Sequence, residues 1–301
     1  MSLRLPTSLR LKVAFGSIGI GLAVLVLKYA AYRLTGSVAL YSDALETIVN
    51  VASSVAAVVA VWFASKPADS NHPYGHDKAE YFAAVLVGVM IVLAAISIFR
   101  ATWIGFVEEP ELTYSPLGLG VNALAALING VWATILMRVG RAQRSPALIA
   151  DGKHLVADVL TSLGVLVGVG LMLLTGWRIL DSLLAALVGL NVLWTGWQVV
   201  RDSISGLMDE AASSEVQDRI RQLISDHGEG AIEAHDLRTR IAGRVTFIDF
   251  HLVVPGEMSV DQAHDICDRI EQAIGKALPG SRMTIHVEPE HKAKHSGIVV
   301  L

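Results

Sequence analysis

The stretch DGKHLVADVLTSLG, residues 151–164, sets Asp151, His154 and Asp158 at the head of an apolar run. Their spacing, i, i+3 and i+7, puts all three on one stripe of a helix. An earlier run, SDALETIVNVASS, does the same with Asp43, Glu46 and Asn50. The two segments share the pattern D-x-x-[E/H]-x-x-x-[N/D]-V, a short internal echo. In a membrane-spanning helix such groups are expensive: an Asp at the centre costs about 2.5–3.5 kcal/mol. If the two stripes meet, four to six N and O ligands converge at one depth. Imidazole plus carboxylate suits Zn2+, with Co, Ni, Fe or Mn also possible. The competing reading is interhelical hydrogen bonding that only holds the bundle together. Metal ligands must be deprotonated, so binding releases protons. A histidine side chain, with an ordinary pKa of about 6.5, suits that exchange near neutral pH.

Two more groups could bind metal. KPADSNHPYGHDKAEYF carries Asp69, His72 and His76 in the pattern D-x-x-H-x-x-x-H. It reads as a small metal site or as a solvated turn around Asn-His-Pro-Tyr-Gly. The last third holds seven of the ten histidines. His235, His251, His264 and His286 fall in or beside its predicted elements. Glu288 stands two residues beyond His286, so the two share one face of a strand. Metal sensing is the functional reading of this group. For any single histidine, a polar surface position competes with it.

The elements that position these residues follow from composition. The chain has 301 residues, 53% hydrophobic and only 17% charged, with a mean hydropathy of +0.52. Soluble domains carry about 25% charged residues. The deficit lies in the first two thirds, and a spanning helix needs roughly 20 apolar residues. Six such helices are expected, over 12–33, 38–64, 79–104, 115–138, 146–175 and 179–204. MSLRLPTSLRLKVAFGSIGIG lacks a cleavage pattern and reads as a retained first helix. Lys and Arg concentrate in the N-terminal segment (Arg4, Arg10, Lys12), the second-to-third connection (Lys66, Lys78) and the fourth-to-fifth (Arg138, Arg141, Arg144). That side is expected to be cytoplasmic, and both termini with it.

From about residue 210 the composition is that of a soluble domain. EVQDRIRQLISDH is an amphipathic helix, and HDLRTRIAG and RVTFIDFHLVV are strands joined at a glycine. SVDQAHDICDRIEQAIGKAL is a second helix and SRMTIHVEP a last strand. The fold class is thus an α-helical membrane protein with a C-terminal cytoplasmic α+β (αββαβ) domain. The division falls at residues 1–208 and 209–301. One cysteine, Cys267, excludes a thiolate zinc cluster and an internal disulfide. A net charge of −4 argues against nucleic acid. No G-x-x-x-x-G-K-[S/T] loop is present, so ATP hydrolysis, and an enzyme generally, is not expected.

These residues together resemble the cation diffusion facilitator family, in its bacterial ferrous-iron/zinc efflux branch. The resemblance rests on GSVALYSDALETIVNVASS, PADSNHPYGHDKAEYFAA, HLVADVLTSLGVLVG and AHDLRTR…FIDFHLVV…QAHDICDRIEQAI…PGSRMTIHVEP, and covers nearly the whole chain. It implies a homodimeric divalent metal/proton antiporter of the inner membrane, with six transmembrane helices and a metallochaperone-like cytoplasmic domain. It implies transport ligands at Glu46, Asn50, His154 and Asp158, and a loop site at Asp69, His72 and His76. It places cytoplasmic ligands at His235, His251, His264, His286 and Glu288, and a link between protomers through Lys78 and Asp209. No cofactor is implied beyond the transported or regulatory metal, Zn2+ foremost. One departure stands out. The branch usually has two aspartates where this chain has Glu46 and Asn50, and Asp43, a turn away, is a possible extra ligand. A membrane-anchored metal sensor that moves no ions is the alternative reading, and a passive channel is disfavoured by closely placed chelating groups.

Overall fold

The structure, a computed structural model, describes residues 7–35, 38–108, 116–175, 179–295 and 297–299. Six long helices come first: α1 (Thr7–Thr35), α2 (Val38–Ala64), α3 (Ala79–Glu108), α4 (Pro116–Ala142), α5 (Pro146–Thr175) and α6 (Ile179–Leu207). Each is 27–30 residues long, enough at 1.5 Å per residue to cross a bilayer. Among the described residues, stretches of α1, α3, α4 and α6 are long and apolar enough to do so. The described apolar part of α2, Asn50–Ala64, is shorter. Exposed Trp62, Phe82, Trp103, Leu127, Val131 and Trp194 form an apolar outer surface, which suits lipid rather than water.

The chain divides into two units, Met1–Ile204 and Ser205–Leu301. In the first, α1 packs on α2 and α4, α4 on α5, and α3 and α2 on α5. One buried cluster joins α1, α2, α4 and α5 through Ala14, Ala57, Ala133, Leu136 and Leu155. Another joins α3, α5 and α6 through Val87, Ile91, Ala157, Val192 and Val199. Small residues let these backbones approach. At Gly152, between Asp151 and His154, an added Cβ would lie 2.7 Å from Met137 Cγ and 3.4 Å from the Ala133 carbonyl. The α4–α5 contact therefore needs glycine there.

The second unit runs α7 (Ser214–His227), β1 (Glu233–Ala242), β2 (Val245–Val254), α8 (Val260–Ala277), β3 (Ser281–Pro289), a 3-10 turn (Glu290–Lys292) and β4 (Ile298–Val299). The sheet order is β3-β2-β1-β4, with β1–β2 antiparallel and β2–β3 parallel. The β1–β2 turn uses Gly243 at φ 57°, a left-handed position that glycine adopts without strain. α8 opens on a capping box, Ser259 with Gln262. Ile248, Phe250 and Leu252 of β2 pack with Ile220, Ile224, Ile266 and Ile270 of the helices. The alternate residues of β2, including His251, belong to the other face. The αββαβ order matches the sequence reading; β4 is an addition to it. Cys267 is buried in the core. Burial raises its pKa, with Glu271 and Asp268 adding to the rise, so the thiol acts as a small apolar group.

Candidate metal centres

In the helical unit the last member of the first triplet meets the last two members of the second. Asn50 on α2 stands between His154 and Asp158 on α5. Its Oδ1 lies 2.8 Å from His154 Nε2, and its Nδ2 donates to Asp158 Oδ2. Asn50 and His154 are 5% and 3% exposed. An amide that donates to a carboxylate offers its carbonyl to the neighbour, so His154 Nε2 carries a proton toward Asn50. A hydrogen bond to a charged group is worth roughly 1.5–3 kcal/mol. That is comparable to the cost of placing Asp158 in the span. Asp151 is engaged differently: Ser54 Oγ donates to it at 3.2 Å, and Ser17 hydrogen-bonds it as well. Ser17 in turn accepts from Trp132 Nε1 at 2.8 Å. Ser17, Thr47, Asn50, Ser54 and Asn129, with Ile20, Val24 and Leu155, line a narrow cavity among α1, α2, α4 and α5. Asp43 and Glu46 fall on α2, with side chains outside those described.

The loop between α2 and α3 brings Asp69, His72 and His76 together. Asp69 Oδ1 is 3.4 Å from His72 Nδ1 and Asp69 Oδ2 is 3.3 Å from His76 Nε2. The loop is held by its own hydrogen bonds. Asp69 Oδ1 accepts the amides of Asn71 (2.9 Å) and His72 (2.7 Å), an Asx-type turn. The amide of His72 is the main reason that the Asp69 carboxyl sits below its ordinary pKa, aided by the Asn71 amide and the facing imidazoles. His76 is buried edge-on against Phe63, ring centroids 4.8 Å apart. The turn thus gathers three possible ligand groups, two of them half exposed.

The cytoplasmic unit holds the third group. His235 of β1 pairs with His251 of β2, which pairs with His286 of β3. The three rings form a ladder with centroids 5.3 and 5.0 Å apart. Glu288 reaches all three. Its oxygens lie 3.3 Å from His235 Nε2, 3.2 Å from His251 Nδ1 and 3.7 Å from His286 Nε2. His264 stands apart on α8, exposed, 3.7 Å from Asp268. In one protomer it does not join the ladder, because α8 covers the opposite face of the sheet.

Glu233 and Asp236 escaped the sequence reading, although both flank His235. Glu233, at i−2, shares its side of β1, a signal that was there to use. Glu233 Oε1 is 2.9 Å from His235 Nδ1. Burial works to raise the Glu233 pKa, but the amides of Lys294 and His295 and the His235 ring outweigh it, and the net shift is downward. His235 thus stands between two carboxylates, Nδ1 toward Glu233 and Nε2 toward Glu288. An ionised carboxylate only accepts, so each of these contacts calls for a ring proton or a cation between the two atoms. Three imidazoles and a carboxylate make a donor set that fits Zn2+. Asp236, at φ 53° in a bulge of β1, is held below its ordinary pKa chiefly by the Lys294 ammonium.

A multi-pass helical bundle with polar groups inside it, joined to an α+β domain bearing a histidine ladder, defines a membrane transport protein with a cytoplasmic C-terminal domain. Comparison with known proteins supplies the family. The description "Cation efflux transmembrane domain" fits residues 14–208, and "Cation efflux protein, cytoplasmic domain" fits residues 212–290. The chain belongs to the cation efflux, or cation diffusion facilitator, family; it is a cation efflux transporter and not an enzyme. It is 45% identical over 273 residues to the uncharacterized transporter sll1263 of Synechocystis, covering 91% of this chain and 88% of that protein. It is 30% identical over 278 residues to the cation-efflux pump FieF of Salmonella arizonae, covering 92% of each. A solved chain described as CzrB in its Zn form is 47% identical over 29% of this chain and 98% of its own, with a TM-score of 0.28.

Proposed function

We propose that this protein exports a divalent transition-metal ion, Zn2+ foremost, in exchange for protons, through a site built from Asn50, His154 and Asp158 with Glu46. The observation that carries this reading is the Asn50 amide bonded at once to His154 Nε2 and Asp158. It joins the last member of one echoed triplet to the last two of the other, between α2 and α5. The same His154 nitrogen that holds a proton toward Asn50 becomes a ligand once that proton leaves, so one atom carries either proton or metal. A cytosolic ion displaces protons from His154, Asp158 and Glu46. The bundle then rocks to the other face, as alternating-access transporters do, and protons from outside compete the ion off. Asp69, His72 and His76 form a loop site. His235, His251, His286 and Glu288 form a regulatory site in the cytoplasmic domain. The protein works as a homodimer in the inner membrane, with both termini in the cytoplasm, where the basic loops place them.

The test is zinc uptake into proteoliposomes under an imposed pH gradient. Wild-type protein is expected to take up zinc only with the gradient, and His154→Ala and Asp158→Ala to lose at least 100-fold of that flux, on the order of a lost ligand at about 2.7 kcal/mol or more. Uptake that ignores the gradient would overturn the antiport reading. Unimpaired uptake by either variant would overturn the site.

A further inference from the structure

The family description ends at residue 290, yet the chain goes on and folds back. After the 3-10 turn, Lys294 and His295 lie beside β1, and β4 pairs antiparallel with its first residues, Glu233↔Val299 and Ala234↔Ile298. The return is close. At Gly297 an added Cβ would lie 2.5 Å from the Ala234 carbonyl oxygen, nearer than any side chain tolerates. Three hydrogen bonds then converge on Glu233. The Lys294 amide donates to Oε1 at 2.7 Å and the His295 amide to Oε2 at 3.0 Å. His235 Nδ1 lies 2.9 Å from Oε1. Beside it the Lys294 ammonium donates to both oxygens of Asp236, at 2.7 and 2.6 Å. Asp236 and His295 both adopt positive φ, 53° and 55°. Backbone strain in non-glycine residues persists only where the surroundings impose it, and here it sits on both sides of one contact.

We propose that residues 291–295 and 297–299 form a clasp that presets the cytoplasmic metal site: the clasp's main chain holds Glu233, and Glu233 holds His235 with Nε2 turned toward Glu288. This rests on reading the histidine ladder as a metal centre. Glu233 is a positioning residue. It touches no metal; it fixes the tautomer and the ring plane of a ligand, the role carboxylates play behind metal-bound histidines. A free carboxylate at position 233 would have water as an alternative partner. The two clasp amides leave it one orientation. The clasp and Glu233 therefore act in series, and losing either one loses the same effect.

The test is zinc affinity by chelator competition in the full-length protein. It is carried out in a His154→Ala, His76→Ala background so that the cytoplasmic site alone reports, with His251→Ala as the control that removes it. Truncation after Glu290 and Glu233→Ala are each expected to weaken zinc binding about 10–100-fold. Glu233→Ala combined with the truncation should be no weaker than the worse single variant. The imidazole 15N spectrum of the metal-free protein should show His235 protonated at Nδ1, and as a tautomer mixture in the truncated protein. Unchanged affinity in the clasp variants, effects that multiply, or an unmoved tautomer would overturn the clasp while leaving the metal centre standing. No zinc retained by the parent protein would overturn the metal centre and the clasp with it.

Discussion

Asn50 carries the electrostatic individuality of the proposed transport site. A neutral amide between His154 and Asp158 satisfies both, whereas a carboxylate there would face Asp158 with a like charge until a cation arrived. Asn50→Asp is therefore expected to tighten zinc binding during transport, lowering the half-saturating concentration several-fold above pH 7. It should also steepen the pH dependence, because one more proton must leave before the ion binds. Initial uptake rates across a pH series check this. Identical half-saturation and pH profile would mean that position 50 is not in the coordination sphere. The shared spacing in two apolar runs made Asn50, His154 and Asp158 legible, because i+3 and i+7 residues lie on one stripe whatever the helix packs against. The Ser54 and Ser17 contacts to Asp151 were not legible. Serines abound in such helices, and which ones face a given carboxylate depends on helix rotation.

At the level of elements, apolar run length fixes where a spanning helix lies, so the six helices fall close to their expected ranges. What ties their ends together was not legible. Arg10 of α1 meets Glu80 in the first turn of α3 at 2.6 Å, with both side chains about 3% exposed or less. Ser145, just ahead of Pro146 at the start of α5, donates to the other Glu80 oxygen. A proline suits the first helical position, where its missing N–H is not needed. Arg10 and Ser145 lie 70 and 65 positions from Glu80, and no local pattern links them. Replacing Arg10 by Ala leaves a buried carboxylate without its ion partner, which should cost about 3–5 kcal/mol. Arg10→Met with Glu80→Leu should recover most of that, since it removes both charges. Thermal unfolding in detergent distinguishes the two. Equal loss in the single and double variants would mean that the pair contributes shape rather than charge. β4 escaped for a similar reason: two residues after a serine and a glycine make no strand signal on their own, and only pairing to Glu233 and Ala234 defines them.

For the molecule as a whole, a cytoplasmic metal site matters to transport only if metal bound there changes the equilibrium of the bundle. Coupling of that kind is a free energy shared by two sites. Removing one site shifts the response at the other without abolishing it. The histidine ladder spans β1, β2 and β3 and gathers on Glu288, so filling it would stiffen the sheet across three strands rather than reshape a single loop. The core beneath, built on Ile248, Phe250 and Leu252, does not depend on those imidazoles. His251→Ala is therefore expected to leave the domain folded and the maximal zinc flux unchanged, while raising the cytosolic-side zinc concentration for half-maximal flux about 5–10-fold, the low end of the roughly 1–3 kcal/mol typical of coupling between sites. Dose-response curves in proteoliposomes, with zinc titrated on the side of the cytoplasmic domain, measure this directly. A parallel loss of maximal flux would mean that the ladder is needed to assemble the transporter. An unshifted curve would mean that the domain holds metal, or pairs protomers, without informing the bundle.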